Sequence, residues 1–265
     1  MTRPQAGASL SHPQATPGVL RVPVVSAPDP AAVAAVVRAL EEAHGTGDLG
    51  NRVDPVEELV FIPLTRQTHR ANSLRSWAVI AALGGPAALL AMPEKELGAR
   101  LKDGGFSRQK ARWIKASLAL IVARFGRLSL EDTRSWSDAE VEVFLCTLPG
   151  IKVKSARCVM MYAMGRQVLA VDTHLRRLAE RLGWVRKGLS EKRIHAELDR
   201  LVTPELRHSL HVNAIWHGRS VCRALRPRCA ACVVQRSCVY GMMMAYPPTP
   251  EHGETPERLW VMDHA

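Results

Sequence analysis

The fold of this chain is decided by one short segment, Leu148-Pro149-Gly150-Ile151-Lys152-Val153-Lys154-Ser155-Ala156. Helical patterns precede and follow it, so Pro149 and Gly150 are predicted to form a tight hairpin between two helices. A Pro-Gly turn that leads into a helix exposes backbone N–H groups beside the positive end of the helix dipole. Such a hairpin suits a nucleic-acid phosphate without reading any base, although a generic helical turn also fits the pattern.

The remainder of the chain indicates an all-α core. The stretch from Ile114 to Val122 repeats apolar residues at helical spacing, and no sustained period-two alternation occurs. Ser137 and Glu140 form a capping-box pattern that predicts a helix start. The uncharged stretch Ser76–Pro93 has nearly membrane-spanning length, but the turn residues from Gly84 to Pro86 interrupt it. We therefore expect two helix ends around a turn there, and no contact with a membrane.

Charge and length favour a globular protein that binds a polyanion. With 265 residues and an apolar share of 47%, the chain is long enough to bury a sizeable core. Its net charge of +11 favours nucleic acid, because each Lys or Arg near a phosphate releases counterions. A solvated basic surface is the alternative. Residues 1–28 and 241–265 are rich in Pro with little periodicity, so we predict flexible tails.

Four cysteines form the densest cluster of metal-binding residue types. Cys222, Cys229, Cys232 and Cys238 are separated by six, two and five residues. No export signal is recognisable at the N-terminus, which predicts a reducing cytoplasm, where clustered thiols favour metal over disulfides. Zinc sites usually draw two close pairs from separate places, and only one C-x-x-C pair is present. Uneven spacing of thiolates alone favours an iron–sulfur cluster, with structural zinc and unligated thiols as alternatives.

A further motif, Val171-Asp172-Thr173-His174, places Asp172 eighteen residues after Lys154. Together with the hairpin and the cysteine spacing, it resembles the endonuclease III family of helix-hairpin-helix DNA glycosylases. The segments His217-Gly218-Arg219 and Leu64-Thr65-Arg66-Gln67-Thr68 also resemble that family. The resemblance covers about Ala31 to Tyr240.

The resemblance implies an all-α, two-domain helix-hairpin-helix DNA glycosylase fold. A six-helix barrel domain is expected over residues 56–165, ending in the hairpin and its following helix. A domain holding a [4Fe-4S] cluster is expected to combine residues 29–55 with residues 166–240. Duplex DNA would lie across the cleft between the two domains.

The resemblance also implies the roles of the site residues. Lys154 is expected to attack the sugar, and Asp172 to stabilise the positive charge that develops there. Because Lys154 lies near a helix N-terminus and other cations, we expect its ammonium form to be disfavoured. The four cysteines of the cluster are the expected metal ligands. The residues expected to contact DNA are Gln67, Gly150, Lys152, His174, Arg223, Arg226 and Arg228.

Several of these residues have simpler interpretations. Gln67 is expected to fill the gap left by an extruded base, but it could be a polar residue that ends a helix. His174 also fits a structural histidine whose hydrogen bonds are satisfied. The three arginines between Cys222 and Cys229 could belong to an ordinary solvated loop.

Three residues depart from the family pattern. Lys152 stands where the hairpin usually has a second glycine, and a positive φ there would cost about 1 kcal/mol of strain. Pro63 is expected to break a helix that the family continues. Arg70 stands where the family tends to have Asp. These departures put lesion recognition and catalytic geometry in question.

The predicted function is excision of oxidised or damaged pyrimidines, followed by AP lyase cleavage at the abasic site. The expected partner is double-stranded DNA with damaged bases or abasic sites, bound by a monomer in the cytoplasm at the nucleoid. One alternative is a mismatch or other base-specific glycosylase of the same fold. Another is a DNA-binding paralogue with little or no catalysis.

Overall fold

The computed structural model describes residues 28–45, 47, 49–102 and 105–245. Within these residues the chain forms α-helices and short 3₁₀ turns without any β-strand, which confirms the all-α prediction. Most of the two predicted tails lies outside the described residues, and the last described helix extends to Ala245. Helices α1 to α12 span Pro30–His44, Pro55–Thr65, Arg70–Ala82, Pro86–Ala91, Glu94–Arg100, Ser107–Phe125, Asp138–Thr147, Val153–Ala163, Thr173–Leu182, Glu191–Leu201, Arg207–Ser220 and Val239–Ala245.

The helices enclose two separate hydrophobic cores. The larger core is built from α2 to α8 and includes Leu64, Leu118 and Val159, all of them fully buried. The smaller core combines α1 with α9 to α12 and the cysteine segment, and it includes Val37 and Leu175. The N-terminal helix α1 therefore packs against α11, far along the chain.

Local capping interactions explain several helix starts. Asp54 accepts hydrogen bonds from the first N–H groups of α2, and Pro55 suits its first position. The predicted capping box is confirmed, because Ser137 and Glu140 bond each other's backbone N–H groups at the start of α7. The predicted turn is also present, since α3 ends at Ala82 and α4 begins at Pro86.

The hairpin follows the geometry that its Pro-Gly pair predicts. Helix α7 ends at Thr147 and α8 begins at Val153, with Gly150 at a φ of +79° between them. A Cβ on Gly150 would lie 2.6 Å from the Trp113 ring. Glycine is therefore required here both by the left-handed backbone and by the close approach of Trp113.

No helix among the described residues is both long enough and apolar enough to span a lipid bilayer. The uncharged stretch Ser76–Pro93 is divided between α3 and α4 instead.

Candidate active site

A cavity of about 330 Å³ lies where the two cores meet. Its walls include Lys154 and Tyr162 from α8, and Asp172 and His211 from the other core. Gln67, on the connection between α2 and α3, also lines this first cavity. The volume lies at the lower end of the range typical for pockets that enclose small organic groups.

Lys154 and Asp172 are brought together, as the motif spacing predicts. Both also line a second cavity of about 380 Å³, which reaches Arg176 and His195. We call the two cavities and their shared walls the cleft. Asp172 Oδ1 accepts the backbone N–H groups of His174 at 3.0 Å and Leu175 at 2.8 Å. The carboxylate therefore caps α9 while it lines the cleft.

The protonation of Lys154 differs from the expectation. The acidic side chain of Cys158, four residues later on α8, raises the pKa of Lys154. Burial acts in the opposite direction, while the carboxyl groups of Asp172 and Glu58 raise that pKa further. The predicted preference for the neutral amine was wrong, because the groups that surround Lys154 are acidic rather than cationic.

Glu58 is a fully buried carboxyl group on α2. Its two oxygens accept hydrogen bonds from the Asn51 side-chain amide and from the backbone N–H of Arg52. Burial raises the pKa of Glu58 to about 7, although these hydrogen bonds and the nearby cations oppose the rise. Glu58 therefore changes charge near neutral pH beside Lys154.

The segment that carries Gln67 is anchored from two sides. Gln67 is exposed and has a φ of +47°, which is uncommon for a residue other than glycine. Arg66 donates to the Gly150 carbonyl at 2.9 Å and stacks over the Trp113 ring. The buried Lys110 donates to the carbonyl of Leu64 and to the Thr68 hydroxyl. These bonds tie the segment to the hairpin and to α6.

Two of the departures from the family pattern have milder effects than predicted. Lys152 has a φ of −120°, an extended conformation that any residue adopts, so the expected strain does not arise. The hairpin places its positive φ at Gly150 alone. Pro63 lies in the last turn of α2, which continues to Thr65 before it ends. Arg70 lines the first cavity at the start of α3.

His174 is held by contacts within the protein. Its Nδ1 lies 3.1 Å from the Arg177 guanidinium, and its ring covers Gly218 so closely that a Cβ there would come within 2.4 Å. Burial lowers the pKa of His174. Arg177 also donates to the carbonyls of Gly218 and Cys222. These contacts support the structural interpretation of His174, and they explain the glycine of the His-Gly-Arg motif.

His211 is a neutral histidine in the wall of the first cavity. It is buried, its Nδ1 lies 2.6 Å from the Ala170 carbonyl, and burial lowers its pKa to about 4. A carbonyl oxygen can only accept, so the neutral ring carries its proton on Nδ1. The remaining Nε2 is then an acceptor.

The segment after α11 contains the four cysteines, and we call it the cysteine loop (Cys222–Cys238). The four cysteines line one small cavity between this loop and α9. Arg181 Nη1 donates to the Cys222 sulfur at 3.3 Å, and the Gly241 N–H donates to the Cys238 sulfur. Burial raises the pKa of Cys238 to about 12, and the pKa values of Cys229 and Cys232 are also raised. No three His, Cys, Asp or Glu side chains among the described residues are placed to hold a metal ion.

The arginines of the cysteine loop form a separate basic surface. Arg223, Arg226 and Arg228 are exposed, and none of them lines the cleft. Arg226 has a φ of +50°, so the loop turns sharply at this residue.

The sequence of the chain matches a known protein family. The HhH-GPD superfamily profile, described as a base excision DNA repair protein, matches residues 64–204, more than half of the chain. This chain belongs to the HhH-GPD superfamily of base excision DNA repair proteins. Within the superfamily it is endonuclease III-like, which confirms the predicted resemblance.

Individual superfamily members are 28% to 33% identical to the chain over the aligned residues. Endonuclease III of Bacillus subtilis is 33% identical over 156 residues, 59% of this chain and 67% of that protein. Endonuclease III of Thermotoga maritima is 28% identical over 191 residues, 71% of this chain and 84% of that protein. For a DNA glycosylase-like protein of Arabidopsis thaliana, the identity is 31% and the match spans only 56% of that protein.

Solved structures support the superfamily fold. A trapped covalent intermediate of endonuclease III with DNA aligns with a TM-score of 0.71 at 24% identity, covering 82% of this chain and 99% of that one. A thermostable thymine-DNA glycosylase aligns with a TM-score of 0.67 at 19% identity, covering 80% and 97%.

The sequence analysis did not identify several residues that lie at or near the site. Glu58 could have been noticed as a second acidic residue at the start of an otherwise apolar helix. Cys158 could have been noticed because it follows Lys154 by one helical turn. Nothing in the sequence marks Lys110 as the anchor of the Gln67 segment, since its partners lie over forty residues away.

Proposed function

We propose that this protein excises a damaged pyrimidine from duplex DNA and then cleaves the strand at the resulting abasic site. The observation that carries the proposal is the pairing of Lys154 with Asp172 in the walls of both cavities. Lysine is the nucleophile that a glycosylase needs for lyase chemistry, since only an amine forms a Schiff base with the sugar.

The first step is extrusion of the damaged nucleotide. A base inside a duplex is unreachable, so the DNA must bend and the nucleotide must enter the first cavity. Gln67 is exposed at the rim of this cavity on an anchored segment, which suits a side chain that fills the vacated space. Gly150 and Lys152 lie at the N-terminus of α8, where backbone N–H groups and positive charge suit a phosphate.

The second step breaks the bond between the base and C1′ of the sugar. The Asp172 carboxylate stabilises the positive charge that develops on the sugar as the base departs with the bonding electrons. Lys154 Nζ, after losing a proton, forms a bond to C1′ in place of the departed base. The C1′–O4′ bond then breaks as a proton passes from the nitrogen to O4′, which leaves an open-chain Schiff base. Loss of a proton from C2′ then expels the 3′ phosphate, and the strand is cut on that side.

We further propose that Cys222, Cys229, Cys232 and Cys238 hold a [4Fe-4S] cluster. Four soft sulfur donors around one cavity, with N–H groups directed at two of them, suit such a cluster. The cluster would supply structure rather than chemistry, because the proposed reaction transfers no electrons. It would order the cysteine loop so that its exposed arginines contact the DNA backbone.

The two hydrophobic cores support a division into two domains, one over residues 56–165 and one over residues 29–55 with 166–240. We propose that duplex DNA binds across the cleft between them and that a monomer suffices for activity.

Borohydride trapping tests the proposed function. The protein is incubated with an abasic-site duplex and reductant, and the covalent adduct is separated on a denaturing gel. We expect an adduct with the wild type and with Lys152→Ala, and none with Lys154→Ala. A wild type that binds the duplex tightly without forming an adduct would overturn the lyase assignment and support a DNA-binding paralogue. A panel of single-lesion duplexes then identifies the excised base.

A further inference from the structure

Two histidines that have no role in the proposed reaction link α1 to the cysteine loop through hydrogen bonds. His44 is the last residue of α1, and its Nε2 lies 2.9 Å from Nδ1 of His217 on α11. The other ring nitrogen of His217, Nε2, lies 3.4 Å from the Cys232 sulfur. His217 is buried and lines the same small cavity as the four cysteines, whereas His44 is half-buried. A line of polar contacts therefore runs from α1 to a proposed cluster ligand.

The direction of these hydrogen bonds follows from the chemistry of a metal-bound cysteine. A cysteine that binds iron has lost its proton, so its sulfur can only accept a hydrogen bond. The contact between His217 and the bound Cys232 is then a hydrogen bond only if His217 Nε2 carries a proton. In a neutral ring Nδ1 is then the acceptor, so the Nε2–H group of His44 donates to it. Both rings therefore donate toward the sulfur.

The packing of α1 on α11 holds the two histidines together. Their rings meet edge to face, with the ring centres 5.1 Å apart. Between the same two helices, the Ser209 hydroxyl donates to the Glu41 carboxylate at 2.9 Å. His44 precedes His217 by 173 residues, so this contact forms only in the folded chain. The orientation of the His217 ring therefore depends on the N-terminal helix.

Other sulfurs of the cysteine loop also receive N–H donors. The Arg181 guanidinium and the Gly241 backbone N–H each donate to one of them. His217 supplies the corresponding donor for Cys232. Hydrogen bonds to the sulfurs of an iron–sulfur cluster offset their negative charge, which raises the reduction potential of the cluster. Groups that support metal ligands in this way also increase metal affinity.

We propose that His217 is a positioning residue of the cluster site, which donates a hydrogen bond to the iron-bound Cys232 sulfur, and that His44 holds the His217 ring in the donating form. The N-terminal helix α1 thereby belongs to the cluster site as well as to the smaller core. This inference rests on the proposed cluster. Its consequences are slower loss of iron and a less negative reduction potential.

The test measures iron release and reduction potential in the full chain with its cluster. The protein is mixed with an iron chelator, the loss of visible absorption is followed in time, and the potential is measured by voltammetry. His217→Phe keeps an aromatic ring but cannot donate, so we expect iron release about 10-fold faster than in the wild type and a more negative potential. His217→Gln restores an N–H donor on a side chain of similar reach, and we expect it to recover most of both values.

Two further variants test the outer histidine and the specificity of the effect. His44→Phe removes the donor to His217, and we expect a smaller change in the same direction. Because His44 is only half-buried, this variant carries the test if thermal melting shows that His217→Phe does not fold. His208 lies earlier on α11 and packs against Tyr162. His208→Phe is the matched control and should equal the wild type in both measurements.

The outcomes separate this inference from the proposed cluster. If wild type purified without oxygen contains no iron and no visible absorption, the cluster assignment fails and the role of His217 fails with it. If the wild type holds the cluster while His217→Phe and His44→Phe keep its release rate and potential, the cluster stands and the positioning role is overturned. Faster iron release at an unchanged potential, without recovery in His217→Gln, would make His217 a packing residue only.

Discussion

At the cleft, carboxyl groups are paired with hydrogen-bond donors of the same chain, whereas in the cysteine loop four thiols gather around one small cavity. Glu58 accepts hydrogen bonds from Asn51 and from the backbone N–H of Arg52, and Asp172 accepts two from backbone N–H groups at the start of α9. In the cysteine loop, burial raises the pKa values of Cys229 and Cys238, and neighbouring sulfurs raise them further. The fold itself therefore supplies partners for the carboxyl groups at the cleft, whereas the proposed cluster would supply the positive charge that thiolates in the loop need.

The largest expected effect on the structure comes from Cys229→Ser. Loss of one cluster ligand should remove the iron and the visible absorption of the protein, and the loop should lose its order because ligand binding and folding are coupled. Hydrogen exchange followed by mass spectrometry should show lost protection in the cysteine loop. Protection in α2 to α8 should remain, because the larger core does not depend on these residues. DNA affinity should fall about 10-fold or more as phosphate contacts are lost.

Cys146→Ser is the matched control for this variant, since Cys146 lies on α7 away from the loop. It should keep iron, absorption and DNA affinity. The comparison between the two regions breaks down if Cys229→Ser retains loop protection and affinity, or if it also unfolds the larger core.

The second prediction separates the two roles of Asp172. Asparagine is as good an N-cap as aspartate, so Asp172→Asn should keep the stability of α9 while it loses the negative charge. We expect base excision and Schiff-base trapping to fall about 100- to 1,000-fold, measured under single-turnover conditions.

Asp172→Ala supplies the contrast to the asparagine variant. It should show the same kinetic loss and, in addition, a stability loss of about 1 kcal/mol in denaturant unfolding, because the cap is removed. Near-wild-type excision by Asp172→Asn would show that Asp172 caps the helix but has no catalytic role.

The two regions also differ in what could be predicted from the sequence. Spacing alone brings Lys154 and Asp172 together, because the hairpin fixes the start of α8 and Asp172 caps α9 by a local interaction. The protonation of Lys154 could not be predicted in this way. The pKa of Lys154 depends first on Cys158 of the same helix, then on burial and on Asp172. It also depends on Glu58, which comes from a helix almost a hundred residues earlier and comes near Lys154 only after α2 packs on α8.

Backbone conformation was a second obstacle to prediction. The sequence did not show which residue of the hairpin takes the positive φ, Gly150 or Lys152. In the hairpin Gly150 alone takes the left-handed conformation, and Trp113 from the distant α6 packs against that glycine. Local motifs therefore predicted which residues meet, and packing between distant helices decided their charge and conformation.

The smallest expected effect is a pH dependence of stability that comes from Glu58, the buried carboxyl group near Lys154. Glu58 has a folded-state pKa of about 7, above its ordinary value of 4.5. Between these pH values the folded state keeps a proton that the unfolded state releases, so the carboxyl group's contribution to stability falls as pH rises. The fall amounts to at most roughly 3 kcal/mol. Glu58→Gln cannot titrate, so its stability advantage over the wild type should grow from pH 5 to pH 8.

Urea unfolding across this pH range measures the difference, and Glu57→Gln, one residue earlier on α2, controls for the lost charge. Because Glu58 lies in the wall of the larger core, the same trend should appear in wild type and in Cys229→Ser, with or without iron. If removing the iron abolishes the trend, the charge balance of the cleft depends on the cysteine loop, and the two regions are not independent. If the wild type and Glu58→Gln run parallel at all pH values, Glu58 is ionised throughout, and Lys154 faces a second permanent negative charge.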